Sequence, residues 1–256
     1  MRGLQWFNAL SAGAAPVAGL PDSVKVADGV LGEQAVRFIA VVTDAQNRFP
    51  RARNGEVGLL EGWGLAKAVD QAIALGDKRP IIAIVDVPSQ AYGRREEALG
   101  IHQALAGAAD SYARARLAGH PVIALLVGKA MSGAFLAHGY QANRLIALRD
   151  PGVMVHAMGK ASAARVTLRS VEELEALAAS VPPMAYDIDS FASLGLLWET
   201  LSVRRIEQPT AEDVTRVSEC LVSAIKDVDG CELSGRLGAP HRAASSHVRQ
   251  LLREQW

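Results

Sequence analysis

The sequence has few aromatic residues, almost no cysteine and no net charge. Its 27 Lys and Arg residues balance its 27 Asp and Glu residues, so the chain lacks the positive charge typical of proteins that bind nucleic acid or anionic membranes. No apolar run approaches the ~20 residues of a membrane-spanning helix, and the first residues lack the apolar core of a secretory signal. We therefore expect no nucleic-acid partner and no membrane insertion.

The residues that bind metals are few and poorly spaced. Cys220 and Cys231 match neither the spacing of zinc ligands nor that of a redox pair. We interpret them as reduced thiols, which favours a cytoplasmic location. The histidines show no ligand spacing either, so the sequence predicts no metal site.

The familiar enzyme motifs are also missing. The sequence contains no HExxH zinc motif, no Walker loop and no Rossmann glycine fingerprint. Ser132 lies in a Met-Ser-Gly-Ala segment, but Ala130 stands where a nucleophile elbow requires glycine, which disfavours a serine hydrolase. What remains for catalysis is the backbone itself.

The length suits one sizeable α/β domain over residues 1–256. Nearly uniform apolar runs predict strands at 35–43, 81–87, 121–127 and 144–148. We expect a strand-rich core over about residues 24–165, followed by a helical region over about residues 166–256. The predicted helices are residues 4–10, 58–75, 96–117, 171–177, 187–194, 211–226 and 241–253, with a loop over 227–240.

Two segments leave alternatives open. Trp6 and Phe7 belong to an amphipathic helix that covers either the core or a partner surface. Arg48, Arg51 and Arg53 lie in a polar loop, where they either grip a phosphate or are simply solvated.

Residues 120–164 organise the rest of the chain. A strand over 121–127 ends at Gly128, small residues lead into a helix expected to reach Asn143, and two short strands follow. The first N–H groups of such a helix have no internal partner, and the helix dipole favours negative charge in front of them. The amides at residues 132–134 therefore suit an oxyanion such as a thioester enolate. The alternative is that the small residues only permit close packing.

Two more turns are placed to line the same pocket. Asp86 and the Pro88–Gly93 turn follow a buried strand, where α/β folds place their chemistry. The Met158–Ser162 turn is the third, and His156 precedes it. We expect the first two turns to offer one N–H each to a shared carbonyl oxygen.

These segments together resemble the carboxyltransferase branch of the crotonase superfamily. Its members carry strand-Asp-x-Pro-Gly-aromatic-x-x-Gly, then strand-Gly-x-x-x-Ser/Gly-Gly-Ala, then a strand pair with a Met-Gly or Pro-Glu-Gly turn. The matching segments here are Val85–Gly93, Gly128–Phe135 and Val155–Lys160. Leu194–Glu199 is similar to the late Leu-Gly-Leu-Val-Asp/Glu-Glu turn, so the resemblance covers most of the chain.

Within that branch, the details most resemble the gamma-subunit family of biotin-independent malonate decarboxylases. The Trp-Phe-x-x-Leu opening and the segment from Arg53 to Gly62 carry this likeness. Two features depart from acetyl-CoA carboxylases: Ser89 replaces the usual glycine after Pro88, and the Ser-Pro-Glu-Gly turn becomes His156–Gly159.

The resemblance implies a crotonase-like spiral of ββα units that decarboxylates malonyl-S-acyl carrier protein to the acetyl thioester and CO2. Backbone amides of Ser132, Gly133 and Ala134 would stabilise the enolate. The chain would bind no cofactor itself, because the substrate rides on the CoA-like prosthetic arm of the carrier protein. The implied partners are a beta-like carboxyltransferase subunit, the acyl carrier protein and acyl-transferase subunits. The implied substrate-binding residues are Pro88, Ser89, Gln90, Ala91, Tyr92, Gly93, His156, Met158, Gly159 and Lys160.

Three hypotheses remain at this stage. The first is a malonate decarboxylase subunit, which we expect to be active only in complex because the chain shows no acid–base dyad. The second is a carboxyltransferase subunit of a biotin-dependent acyl-CoA carboxylase. The third is a non-catalytic crotonase-like scaffold, favoured if Gly133 and Ala134 are sealed in the core. Lys129 and Lys160 either attract the substrate carboxylate or are ordinary surface lysines.

Overall fold

The structure of the chain, a computed structural model, describes residues 1–233, 236 and 239–256. The predicted loop over 227–240 lies partly outside the described residues, at 234, 235, 237 and 238. The helices are α1 (Arg2–Leu10), α2 (Leu59–Ala74), α3 (Arg94–Ala98), α4 (Ile101–Leu117), α5 (Ser132–Ala137), α6 (Lys160–Val166), α7 (Val171–Ala178), α8 (Ile188–Ser193), α9 (Ala211–Lys226) and α10 (Ala243–Gln255). The strands are β1 (Ala15–Pro16), β2 (Val24–Leu31), β3 (Gln34–Val41), β4 (Ile81–Val87), β5 (Val122–Met131), β6 (Arg144–Leu148), β7 (Met154–His156) and β8 (Glu199–Leu201).

The strands form one mixed sheet in the order β1-β2-β3-β4-β5-β6-β8, and β7 pairs with the end of β5. The pairings from β1 to β3 are antiparallel, whereas those from β3 through β8 are parallel. Parallel strands need cover on both faces, which explains why β4, β5 and β6 are almost uniformly apolar. The predicted strands at 81–87 and 144–148 are therefore confirmed, while the runs at 35–43 and 121–127 fall within a slightly shifted β3 and a longer β5.

The first helix belongs to the core. Trp6 is fully buried and Phe7 nearly so, which decides between the two alternatives for this segment in favour of core packing. Trp6 Nε1 donates a hydrogen bond to the carbonyl oxygen of Ile206 at 2.9 Å. The Asp86 carboxylate accepts from the N–H of Gly3 at 3.0 Å and thus caps the first turn of α1. This long-range cap fixes α1 at the carboxyl end of β4.

The central strand is longer than the sequence pattern predicts. We expected β5 to end at Gly128, but it continues to Met131 because its last three residues pair with β7. Between the pairs Val85–Leu126 and Val87–Ala130 the register shifts, so Asp86 lies against Gly128. A Cβ at Gly128 would come within 2.0 Å of the Asp86 carboxylate, so only glycine fits at this point.

The helix after β5 is shorter than predicted. It ends at Ala137 instead of Asn143, because Gly139 adopts a left-handed φ of +107° and closes a turn. A Cβ at Gly139 would lie 2.7 Å from a methyl group of Val85. The fully buried His138 fixes this turn: its Nε2 donates to the Ile84 carbonyl at 3.0 Å, and the Tyr112 hydroxyl donates to its Nδ1 at 3.0 Å.

Three other predictions need correction. The expected single helix over 96–117 is two helices, α3 and α4, because Gly100 between them takes a left-handed φ of +83°. The region after residue 165 is helical as expected, but it also contributes strand β8, which extends the sheet beside β6. The third turn starts helix α6, which the sequence analysis missed. None of the helices in the described part of the chain combines the length and the hydropathy needed to cross a bilayer.

Candidate functional site

The structure brings together the first two predicted turns. The Pro88–Gly93 turn (hereafter the first turn) follows β4, and the Ser132–Ala134 turn (the second turn) follows β5. Because β4 and β5 are parallel neighbours, their carboxyl ends meet at one edge of the sheet. The contact between the turns is a hydrogen bond from the Gly133 N–H to the Gln90 side-chain oxygen, at 2.8 Å.

The second turn presents its amide through a strained backbone. Ser132 has a left-handed φ of +60°, a conformation that costs a non-glycine residue of order 1 kcal/mol. The Ser132 hydroxyl donates to the Ala157 carbonyl at 2.8 Å, which ties the second turn to the segment after β7. Gly133 is partly exposed, whereas the side chain of Ala134 is fully buried. Gly133 is therefore not sealed in the core. Burial of both residues would have favoured the scaffold hypothesis, but only Ala134 is buried.

The first turn uses much of its backbone internally. The Val57 N–H donates to the Ser89 carbonyl at 3.0 Å, and the Ala91 N–H donates to the Val57 carbonyl at 2.8 Å. The Tyr92 N–H is likewise engaged with the Gln90 carbonyl at 3.0 Å. The amides of Ala91 and Tyr92 are thus already bonded, so this turn offers its Gln90 side chain to the second turn instead.

A buried carboxylate holds the segment that supports the first turn. Glu61 is fully buried and accepts three hydrogen bonds: from the Ser23 hydroxyl at 2.5 Å, the Asn47 side chain at 2.7 Å and the Gly58 N–H at 2.9 Å. A buried charge is tolerated only when it is hydrogen-bonded, and these donors come from three separate segments. Glu61 therefore fixes Val57 and Gly58, and through Val57 the first turn.

A cleft of about 340 Å³ opens on the other side of the second turn. Among the predicted site residues, Ser132, Gly133 and His156 line it, and most of its remaining lining is apolar. The lining residues that sequence reasoning missed include Leu136, Tyr140, Pro182, Pro183, Phe191 and Leu194. They come from α5, from the turn that follows it and from the late helical region, so no local pattern connects them to the site.

His156 lies against an aromatic partner at the edge of this cleft. Its ring stacks on Tyr186, with 3.9 Å between the ring centroids, and its Nδ1 lies 3.0 Å from the Met158 carbonyl oxygen. The Tyr186 hydroxyl donates to that same carbonyl at 2.9 Å. Partial burial lowers the pKa of His156, and the Met158 backbone opposes that shift. Tyr186 was missed from the sequence because it lies far along the chain, after Pro182 and Pro183.

The two candidate lysines lie outside the contact between the turns. Lys160 forms an ion pair with Glu175 at 2.6 Å and lines a separate cleft with Tyr186. The Lys129 side chain is exposed, although its N–H donates to Asp86 at 3.1 Å. Gly159 begins helix α6 with open space around it.

The described residues contain no group of three or more His, Cys, Asp or Glu side chains arranged to hold a metal ion. Both cysteines are free and partly buried, and burial raises the pKa of the Cys220 thiol to about 11. The Cys220 thiol is therefore not activated as a nucleophile in this environment.

Comparisons with known proteins give the site a context. The profile of malonate decarboxylase gamma subunits matches residues 52–256. The chain is 71% identical to a chain of a Pseudomonas malonate decarboxylase hetero-tetramer solved in complex with coenzyme A, covering 100% of this chain and 99% of that one with a TM-score of 0.95. It is 66% identical to a chain of a Pseudomonas malonate decarboxylase MdcD-MdcE hetero-dimer, with the same coverage and a TM-score of 0.91.

More distant relatives are carboxyltransferases. The malonyl-S-ACP:biotin-protein carboxyltransferase MADD of Malonomonas rubra is 34% identical over 230 residues, which span 86% of this chain and 75% of that protein. The transcarboxylase 12S core shares the fold at 19% identity, with a TM-score of 0.63 over 84% of this chain and 38% of its own. The expected crotonase-like α/β fold is therefore confirmed.

Proposed function

Because the chain belongs to the malonate decarboxylase gamma-subunit family, we propose that it forms part of a site that removes CO2 from a malonyl thioester. The substrate is malonyl-S-acyl carrier protein, and the products are acetyl-S-acyl carrier protein and CO2. The observation that carries the proposal is the hydrogen bond from the Gly133 N–H to an amide carbonyl oxygen at 2.8 Å. A thioester carbonyl resembles that acceptor in shape and polarity.

The chemistry requires an electron sink and a proton. When the bond between the malonyl carboxyl group and its neighbouring carbon breaks, the electron pair moves into the thioester carbonyl and forms an enolate oxygen. A preorganised N–H at that oxygen stabilises the transition state more than the ground state. We assign this role to the backbone amides at Ser132, Gly133 and Ala134, with Gly133 as the principal donor. The enolate carbon then takes one proton to give the acetyl group.

In the structure, the side-chain oxygen of Gln90 already accepts the hydrogen bond from the proposed donor, the Gly133 N–H. That oxygen has to leave the Gly133 N–H before a substrate oxygen can bind there. Such an exchange costs little, because the net contribution of one hydrogen bond is about 0.5–1.5 kcal/mol. The rest of the first turn shapes the pocket while keeping its own backbone bonds. The other proposed substrate-binding residues are His156, at the end of β7, and Met158, Gly159 and Lys160 of the third turn.

The site is incomplete within one chain. Among the described residues, no carboxylate or histidine shares a hydrogen bond with the Gly133 N–H, and the relatives in the Pseudomonas structures are hetero-oligomers. We propose that a beta-like carboxyltransferase subunit supplies the rest of the site, and that the acyl carrier protein and acyl-transferase subunits load it. The chain itself holds no cofactor in this scheme, since the CoA-like arm of the carrier protein brings the substrate. We place the complex in the cytoplasm.

The test is CO2 release from malonyl-S-acyl carrier protein in the absence of biotin. This chain alone, the beta-like subunit alone and the two together are compared at equal concentration. We expect release only from the pair. Full activity of this chain alone would contradict the shared site, and no release from the assembled complex would overturn the decarboxylase assignment.

A second candidate function is carboxyl transfer to biotin, which the Malonomonas rubra relative favours by its name. In that case the carboxyl group would pass to a biotin carrier protein without being lost as CO2. The same assay with a biotinylated carrier and labelled malonyl carboxyl group separates the two functions. Label retained on biotin would promote the transferase, and label lost as CO2 at an unchanged rate would support the decarboxylase.

A further inference from the structure

We propose that an arginine surface beside the first turn docks an acidic face of the acyl carrier protein that delivers the substrate. The arginine surface consists of Arg48, Arg51, Arg53, Arg94 and Arg95. This inference rests on the proposed function, because it concerns how the proposed substrate reaches the site.

Two aromatic rings hold three of the five arginine side chains in place. The guanidinium carbons of Arg48 and Arg95 lie 4.9 Å and 5.4 Å from the ring centroid of Phe49, which is itself fully buried. The guanidinium of Arg51 lies 4.3 Å from the ring centroid of Tyr92. Arginines stacked on aromatic faces lose less freedom on binding a partner than free surface side chains do. The sequence places these residues in two segments, 48–53 and 94–95, which the fold brings to the same rings.

Most arginines of this surface form no ion pair, although Glu96 and Glu97 follow Arg94 and Arg95 directly on α3. Arg51 pairs with Glu56, but within the described residues Arg48, Arg53, Arg94 and Arg95 make no ion pair with a carboxylate. Those four side chains are also exposed. The chain as a whole carries no net charge, so this concentration is a local feature of one face. Such a face attracts a partner of opposite charge and raises its association rate.

The loop that carries three of these arginines is anchored. Arg53 donates through Nε to the Asn47 carbonyl at 2.7 Å, and the Asn47 side chain donates to the buried Glu61 at 2.7 Å. The charges are therefore presented by a fixed framework. Because the loop is already fixed, less conformational entropy is lost when a partner protein binds to this surface.

The position of the arginine surface fits delivery to the second turn. Tyr92, which carries Arg51 on its ring, lies two residues after Gln90, the residue that contacts Gly133. A carrier protein docked here would present its prosthetic arm next to the proposed donor. The arginines are spread over a loop and a short helix, which suits carboxylates distributed over a protein surface better than the phosphates of the arm.

The experiment compares two substrates in the assembled complex: malonyl-S-acyl carrier protein and malonyl-CoA, which has a similar arm but no carrier protein. The variant Arg48→Glu/Arg95→Glu reverses two charges on the surface. The matched control Arg216→Glu/Lys226→Glu reverses two exposed charges on α9 that form no ion pair in the described structure.

We expect the surface variant to lower kcat/KM for the carrier substrate by roughly 10- to 100-fold, with a weaker salt dependence than the wild type. Malonyl-CoA turnover should change less than twofold, and the control should leave both substrates unaffected.

Equal losses on both substrates would overturn the proposal in favour of binding to the arm phosphates, and no loss on either would overturn it outright. Binding of carrier protein that lacks the arm, measured by calorimetry, gives a second readout that needs no catalysis. We expect the surface variant to weaken that binding at least tenfold, and unchanged binding would contradict the proposal. If the wild-type complex released no CO2 from either substrate, the proposed function would fail while the binding result still decided the docking surface.

Discussion

The two turns that meet at the carboxyl ends of β4 and β5 use their backbones in opposite ways. In the first turn, the amides of Ala91 and Tyr92 bond within the chain, and Val57 holds the turn in a bridge. In the second turn, the Gly133 N–H donates to the side chain of Gln90 in the first turn. A backbone N–H can bind a ligand only if it is not already hydrogen-bonded to a backbone carbonyl oxygen. The difference supports the proposal that the second turn is the donor and the first turn its support.

The comparison predicts that removing the Gly133 N–H has the largest effect. Gly133→Pro deletes the donor at the start of α5, where a helix tolerates proline, although proline also disfavours the left-handed backbone of Ser132 before it. We expect kcat for malonyl-S-acyl carrier protein to fall by about 10²–10³, which is typical for the loss of one oxyanion donor. Steady-state kinetics of the assembled complex provides the measurement.

The control is Gly133→Ala, which keeps the N–H but adds a Cβ 3.2 Å from the Gln90 side-chain oxygen. It should cost less than about tenfold, because only the Gln90 side chain has to shift. Thermal unfolding of both variants shows whether the fold survives the changes. Equal losses from the two variants with intact folds would mean that crowding, and not the missing donor, causes the effect.

Because Glu61 holds the segment that supports the first turn, its substitution is expected to lower the stability of the fold. Glu61→Ala removes a buried acceptor and leaves the donors from Ser23, Asn47 and Gly58 without a partner. We expect the free energy of unfolding to fall by about 3 kcal/mol, since hydrogen bonds to charged groups contribute more than neutral ones. Glu61→Gln keeps the shape and one acceptor oxygen, so it should lose about 1 kcal/mol. Urea unfolding measures both, and a loss from Glu61→Ala as small as that of an exposed residue would refute the anchoring role.

His138, which directly follows α5, is expected to make the stability of the fold depend on pH. Burial lowers the pKa of His138 to about 4, below the value near 6.5 of an unfolded chain. The unfolded state then binds more protons than the folded state between these values, so the stability from His138 is complete above pH 6.5 and is lost as the pH falls toward 4. The loss is of order 3 kcal/mol at pH 4.

The non-titrating variant His138→Gln isolates this contribution from that of the carboxylates. Its stability relative to the wild type should improve as the pH falls from 6.5 to 4, although it starts lower because the bonds to Tyr112 and Ile84 are disturbed. Unfolding curves at several pH values supply the difference. Parallel pH profiles for the two proteins would show that His138 does not titrate in this window.

The sequence predicts the strands well where one physical signal dominates. The runs at β4 and β6 are almost uniformly apolar, apart from Asp86 and Arg144, and are buried on both faces, so composition alone located them. The end of β5 was missed because Gly-Lys-Ala-Met has weak strand propensity, and its pairing with the distant β7 stabilises it instead. Gly100 and Gly139 stopped two helices through left-handed conformations that a helical pattern does not reveal.

The site was predictable only as far as topology determines it. Parallel neighbouring strands place the two turns side by side, which is why Gln90 and Gly133 were expected near one another. The bond between them depends on the shifted register around Asp86 and on the left-handed Ser132, and neither follows from residue type. The stacking of Tyr186 on His156 joins residues whose contact exists only after the late helices pack.

Substitution of Gln90 has the smallest expected effect, but it tests the different roles of the two turns most directly. Gln90→Ala frees the Gly133 N–H of its internal acceptor, so a substrate oxygen no longer has to displace one. We expect KM for malonyl-S-acyl carrier protein to fall by roughly 2- to 10-fold with kcat retained, because one net hydrogen bond is worth up to about 1.5 kcal/mol. Gln90→Glu should raise KM, since a carboxylate binds the N–H more strongly than an amide oxygen does.

Gln103→Ala, which truncates an exposed glutamine on α4, serves as the control and should change neither constant. The sign of the Gln90→Ala effect decides how the first turn acts on the second. A lower KM means that the first turn only competes for the donor, and the oxyanion site then consists of the second turn and the partner subunit. A lower kcat would instead mean that the Gln90 side chain orients the Gly133 peptide during the reaction, and the division of labour between the two turns would not hold.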